Sequence, residues 1–269
     1  VLDLKAISKA AQTYKVPFIV DNTVATPFLL NPIEHGANIV IHSLTKYIGG
    51  NGTSLGGVII DSGNFDWSNG KFPEFTEPSA GYHGLKYYEV LGAASFIAKV
   101  RIEGLRDLGA SLSPFNAFQI IQGLETLAIR IKKHSENALE LAKWLQKRPE
   151  VAWVNYPGLI SSKYYDLAQE YLPEGQSGIV TFGLKGGYEA AKKVADETQF
   201  FSLLANIGDT KSLIIHPAST THQQLSEEQQ ITTGVTKDLI RLSVGLEDIE
   251  DLKADLQSVF EKLPVQNLV

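Results

Sequence analysis

The chain is expected to form an α/β fold, with a mostly parallel sheet in a large first domain and a smaller α+β domain after it. Three observations carry that expectation. Residues 2–60 alternate a helical pattern with short apolar runs, the texture of a doubly wound layer. The runs Pro17-Phe18-Ile19-Val20, Ile39-Val40-Ile41 and Val58-Ile59-Ile60 are nearly continuous in apolar residues, as in parallel strands buried on both faces. Past a long helical stretch, short strand patterns interleave with helices, which is an α+β order.

In chain order, a helix is expected over 2–13, a strand over 17–20, a loop containing Pro27 and Pro32, a strand over 38–42, a glycine-rich segment over 49–57 and a strand over 58–60. Residues 61–90 are rich in Gly and Pro yet carry Phe65, Trp67, Phe72, Phe75, Tyr82, Tyr87 and Tyr88. So many aromatic rings are too apolar to stay wet, and they are expected to pack over the domain or a neighbouring subunit. Helical periodicity returns over 92–107 and again over 115–148, where Ala138, Leu141, Ala142 and Leu145 mark one buried face. This second stretch is read as a single helix bridging two domains, 1–125 and 126–269. Strands over 151–154, 178–184, 213–215 and 239–244 then alternate with helices over 187–198 and 247–262.

Length and composition limit the function classes. With 269 residues and 43% hydrophobic content, the chain can bury a sizeable core. A net charge of −6 with scattered basic residues argues against a nucleic-acid partner. No apolar run is long enough to span a bilayer, and no charged-then-apolar leader opens the chain, so a cytoplasmic protein is expected. Cysteine is absent, which removes disulfides, thiolate metal sites and a cysteine nucleophile. The histidines show no paired ligand spacing, and no metal site is expected. Methionine is absent as well, and the first residues read as the middle of a helix; the sequence is therefore expected to continue upstream.

The chemistry concentrates in two short segments. Val20-Asp21-Asn22-Thr23 ends one strand, and His42-Ser43-Leu44-Thr45-Lys46-Tyr47-Ile48-Gly49-Gly50 ends the next. A lysine in a loop is ordinarily a solvated charge, and an aspartate after a strand is ordinarily a turn or cap residue. Here both lie at the carboxyl ends of buried strands, where open α/β sheets bind their ligands. An amine that condenses with an aldehyde, a carboxylate for a ring nitrogen, and hydroxyls for a phosphate together suit pyridoxal phosphate. The glycines of Gly49-Gly50-Asn51-Gly52-Thr53-Ser54-Leu55-Gly56-Gly57 fit neither phosphate-loop spacing, and they suit backbone that turns sharply beside a bound group.

These segments resemble the Cys/Met-metabolism family of pyridoxal-phosphate enzymes, in which DNT is followed by a strand and then HSxTKY with glycines behind it. Gly208-Asp209-Thr210-Lys211-Ser212-Leu213, the segment His216 to His222, and Arg241-Leu242-Ser243-Val244-Gly245-Leu246-Glu247-Asp248 extend the resemblance over essentially the whole chain. It implies a fold-type I transferase of the aspartate aminotransferase kind, with part of the large domain present. It also implies pyridoxal 5'-phosphate bound by Asp21, Thr23, Ser43, Thr45 and Lys46, with Lys46 catalytic. Arg241 is implied to grip the substrate α-carboxylate, oriented by Ser212 and Thr221. A planar guanidinium matches a carboxylate with two parallel bonds; the competing expectation for Arg241 is a surface ion pair with Glu247 or Asp248.

Asn51 to Gly57, Phe65-Asp66-Trp67 and the long segment before Ser113-Pro114-Phe115 look like the O-acetylhomoserine sulfhydrylase branch, which commonly has histidine at Asn51. The implied partners are O-acetylhomoserine, sulfide or a thiol, and further copies of the chain in a homotetramer. An aromatic ring stacking on the cofactor and a phosphate-holding turn are implied to lie upstream of DNT, so the site would need that segment. A γ-lyase of the same family, or a noncatalytic piece used in assembly, are the alternatives.

Overall fold

The computed structural model describes residues 1–264. Helix α1 (Leu4–Thr13) starts at an Asp3 cap, whose carboxylate accepts the Ala6 N–H at 2.9 Å, so the helix begins two residues later than its pattern suggests. The first sheet has the order β1 (Ile19–Asp21), β2 (Ile39–Ser43), β3 (Gly57–Asp61). β1 and β2 are parallel, with Asp21 opposite Ile41, which brings both carboxyl ends to one edge. β3 runs antiparallel to β2, and Ile59 and Ile60 are each 38% exposed. The expectation of three parallel, buried strands is therefore corrected. The glycine-rich link returns the chain as a hairpin, because it contains no helix that could make a parallel crossover.

The aromatic segment packs on this sheet. Trp67, Phe75 and Tyr87 are buried with Ile39, and the Trp67 ring stacks on Phe96 at 5.1 Å. The chain then runs through an irregular helical path over 92–108 into α2 (Pro114–Glu125) and α3 (Leu127–Leu145). The single bridging helix is thus two helices, broken at Thr126, where the backbone leaves helical geometry (φ −106°, ψ 3°).

The second sheet has the order β4 (Val151–Asn155), β5 (Ile179–Leu184), β8 (Leu239–Ser243), β7 (Leu213–Ile215), β6 (Ser202–Leu203). Helices α4 (Tyr165–Tyr171) and α6 (Glu227–Thr232), and strand β6, have no counterpart in the sequence expectations. Helix α5 (Gly187–Glu197) and the terminal helix α7 (Ile249–Phe260) do. Val180, Phe182, Ile240 and Leu242 bury against Leu141 and Leu145 of α3, Val194 of α5, and Leu252 and Leu256 of α7. Strand alternation then settles where Arg241 points. With Ile240 and Leu242 in the core, Arg241 lies on the opposite face, beside its register partners Thr181 and Ile215.

Candidate active site

At the edge shared by β1 and β2, the Thr23 N–H donates to Asp21 Oδ1 at 3.0 Å, and the Ser43 N–H donates to Thr23 Oγ1 at 2.8 Å. Thr23 thus ties the two strand ends together. Asn22 is buried, and its amide donates to the carbonyls of Thr26 and Leu30 at 3.0 and 2.9 Å, which fixes the loop after β1. The Asp21 carboxylate itself is exposed.

Past Ser43 the chain makes a wide turn, Leu44–Ile48, interrupted at Lys46, whose ψ of −132° is far from helical. Gly49 and Gly50 close it with bonds to the carbonyls of Leu44 and Lys46, both 2.8 Å. The Thr45 hydroxyl accepts from the Gly56 N–H at 3.1 Å, so it serves the hairpin, while the Ser43 hydroxyl has no bond among the described residues. Tyr47 is fully buried. Its hydroxyl accepts the Gly178 N–H at 3.3 Å, and its ring meets His134 edge-on at 5.1 Å.

The Lys46 ammonium donates to Oδ1 of Asn206, and the Asn206 main-chain carbonyl accepts from Arg241 Nη2 at 3.2 Å. Asn206 is absent from the sequence expectations, yet it is the residue that brings Lys46 and Arg241 together. Its loop is locked to the lysine turn. The Thr210 N–H donates to the Gly50 carbonyl at 2.8 Å, and Gly208 (φ +72°) lies so close that a Cβ would sit 2.6 Å from the Tyr47 nitrogen. Only glycine meets both demands.

Arg241 is half-buried, and burial lowers its pKa. It makes no ion pair with Glu247 or Asp248. Both Glu247 carboxylate oxygens are taken by Ser212, through its N–H at 2.6 Å and its hydroxyl at 2.8 Å, and Asp248 caps α7. Ser212 is fully buried and also accepts the Gly245 N–H at 2.7 Å, so its hydroxyl braces the turn after β8. Thr221 is exposed and bonds to Nδ1 of His222 at 2.8 Å. The structure therefore groups Asp21 with Thr23 and Ser43, and Lys46 with Asn206 and Arg241, while Ser212 and Thr221 bond to neither group.

This arrangement fits pyridoxal phosphate. An exposed carboxylate, a lysine paired only with a neutral amide, a free hydroxyl and a half-buried arginine without an acid partner leave complements for a ring nitrogen, an aldehyde, a phosphate and a substrate carboxylate. Among the described residues, no group of three or more His, Asp or Glu side chains could hold a metal ion, and no helix is long and apolar enough to cross a membrane.

Fold and site together give an α/β protein whose lysine-centred site has the complements of pyridoxal phosphate. The sequence profile of Cys/Met metabolism PLP-dependent enzymes matches residues 1–261, and the chain belongs to that family. It is 55% identical over 271 residues to an O-acetyl-L-homoserine sulfhydrylase of Leptospira meyeri, covering 97% of this chain and 61% of that one. It is 48% identical over 262 residues to a homocysteine synthase of Schizosaccharomyces pombe, covering 96% and 61%. The crystal structure of a putative O-acetylhomoserine (thiol)-lyase from Campylobacter jejuni, which contains N'-pyridoxyl-lysine-5'-monophosphate, superposes with a TM-score of 0.93 at 48% identity, over 97% of this chain and 62% of that one. The chain thus spans about three fifths of the length of the relatives it matches.

Proposed function

We propose that the chain belongs to an enzyme that replaces the acetate of O-acetyl-L-homoserine with sulfide or a thiol, giving homocysteine or methionine and free acetate. The observation that supports this reading is the chain Lys46–Asn206–Arg241, in which a lysine amine and a half-buried guanidinium without an acid partner bond to the two carbonyls of one residue. Its chemistry suits the substrate named for the Leptospira relative and the product named for the Schizosaccharomyces one.

When bound, pyridoxal phosphate supplies the electron sink that lets protons leave Cα and Cβ and acetate leave Cγ. Lys46 would hold the cofactor through its amine, and that amine would be the base that takes the Cα proton. Asp21 keeps a proton on the ring nitrogen. Ser43, its backbone held by Thr23, would give its hydroxyl to the phosphate, and Thr45 would join it on giving up its bonds to Gly56. Arg241 takes the α-carboxylate, with Ser212 acting through the turn it braces and Thr221 contributing from its exposed loop.

The same proposal assigns residues 1–125 to the cofactor-binding domain and 126–269 to the carboxyl-terminal one. It includes a cytoplasmic homotetramer whose site is completed by length that the relatives have beyond the matched span. The apolar side chains of Phe115, Phe118 and Ile121, 67%, 56% and 57% exposed on α2, support burial against further protein. The test follows O-acetylhomoserine with and without sulfide in the full-length enzyme. Homocysteine and acetate should form in equal amounts only with sulfide; a keto acid and ammonia formed without sulfide would replace this reading with a γ-lyase.

A further inference from the structure

We infer that Arg130 is a positioning residue for Lys46, fixing the wide turn that presents the lysine amine by gathering three main-chain carbonyls onto one guanidinium. The inference rests on Lys46 being the cofactor lysine.

Arg130 lies in the first turn of α3. Its Nη1 donates to the Tyr47 carbonyl at 2.7 Å, its Nη2 to the carbonyls of Ile48 at 3.0 Å and Gly123 at 2.6 Å, and its Nε to the Thr126 hydroxyl at 3.1 Å. No carboxylate pairs with it among the described residues, and it is half-buried. The cation is therefore committed to main-chain oxygens, where burial lowers its pKa.

Those oxygens need it. Lys46 breaks the turn's helical geometry, and among the described residues no backbone N–H reaches the carbonyls of Tyr47 or Ile48. The Gly123 carbonyl, at the carboxyl end of α2, accepts only long bonds from the Thr126 N–H and hydroxyl, both 3.3 Å, and carries the partial negative charge of a helix end, so Arg130 at 2.6 Å is its shortest partner. A planar fork with five donors satisfies oxygens arriving from two segments at once, which the tetrahedral ammonium of lysine cannot reproduce.

The surroundings confirm that the turn and the helix break form one unit. A Cβ on Gly123 would lie 2.5 Å from the Gly49 carbonyl oxygen and 2.6 Å from that of Ile48, both rigid backbone, and a Cβ on Gly50 would strike Arg130 Nη1 at 2.5 Å. Tyr47 anchors the turn from the other side through Gly178 and His134. Among the described residues the Lys46 side chain has one bond, to Asn206, so where its amine points is decided largely by the backbone that Arg130 holds.

The test uses the full-length holoenzyme and the variants Arg130→Lys, Arg130→Gln and Arg130→Ala, the last with and without added guanidinium. Three readouts are taken: cofactor content, the pH midpoint of the visible absorbance of bound cofactor, and kcat and KM for O-acetylhomoserine. Content should stay near wild type and the midpoint should move. We expect kcat to fall about 10- to 100-fold with KM changed less than about twofold, as for a displaced reacting group, and guanidinium should restore part of kcat in Arg130→Ala.

An unmoved midpoint and wild-type kcat, with only a lowered unfolding temperature, would reduce Arg130 to a stabilising contact. If Arg130→Ala and Arg130→Gln do not fold, Arg130→Lys decides, and a wild-type midpoint and kcat in it overturn the inference. Borohydride trapping of the wild type keeps the two assignments apart. Label on a lysine other than Lys46 overturns the cofactor assignment, whereas label on Lys46 with unperturbed variants overturns only the role of Arg130.

Discussion

Lys46 and Arg241 are joined through the two carbonyls of one residue. The side-chain oxygen of Asn206 accepts from the lysine ammonium, and its main-chain oxygen accepts from the arginine at 3.2 Å. The lysine comes from the turn after β2 and the arginine from β8, so Asn206 sets the spacing between the group that would hold the cofactor and the one that would hold the substrate.

Asn206→Ala removes the lysine's partner and leaves the main-chain carbonyl on Arg241. A hydrogen bond to a charged group contributes about 1.5–3 kcal/mol. We therefore predict that kcat falls by one to two orders of magnitude, while KM for O-acetylhomoserine changes by less than about threefold. Steady-state kinetics decides it: a raised KM at unchanged kcat would make Asn206 a substrate contact alone.

Asp21→Asn tests the carboxylate at the end of β1. The Asp21 Oδ1 that accepts from Thr23 at 3.0 Å has an amide counterpart, so the loop should keep its shape. What goes is the charge facing the ring nitrogen, a charge-assisted bond of about 1.5–3 kcal/mol. Turnover should fall more than cofactor content does, and a variant with wild-type turnover would remove Asp21 from the ring-nitrogen role.

For Arg241, the informative change is Arg241→Lys. The position keeps its charge but loses the planar fork, and a shorter reach should also weaken the bond to the Asn206 carbonyl. The expected result is a KM for O-acetylhomoserine raised about tenfold or more, with a smaller effect on kcat. If KM does not move, Arg241 serves only to hold the Asn206 loop.

Much of this was legible in the sequence because Asp21 and Lys46 each lie within a few residues of a strong strand signal. Asn206 was not. It sits in a short irregular loop far along the chain from Lys46, with no periodicity to mark it, and only the nearby Gly208-Asp209 turn hinted that backbone had to pass closely there. Periodicity also hid the break at Thr126, since apolar spacing continues across it; Gly123, where no side chain fits against the lysine turn, was the available clue. The direction of β3 follows from a link to β2 that holds only the five-residue turn Leu44–Ile48 and so cannot make a parallel crossover, a constraint that apolar runs do not express. Ser212 shows the opposite limit: its local sequence cannot tell a hydroxyl facing a substrate from one spent on Glu247.

His134 carries the last prediction, a dependence of stability on pH. Its Nδ1 lies 2.7 Å from the Val244 carbonyl, which can only accept, so Nδ1 bears the hydrogen and Nε2 the lone pair. Nε2 is buried without a partner among the described residues, so protonating it would create an N–H with no acceptor there. Burial, aided by the Arg130 charge, pushes the pKa from 6.5 down to about 4. Below pH 6.5 the unfolded chain takes up a proton that the folded chain refuses until about pH 4. Stability contributed by the neutral ring is thus complete above 6.5 and is lost as pH falls through that window, by about 3 kcal/mol in all. His42 and His216, also lowered by burial, add to the loss in the same direction. In His134→Asn, whose amide can still donate to Val244, the urea-unfolding free energy should fall less steeply with pH over this range. Parallel curves for variant and wild type would show that His134 titrates alike in both states.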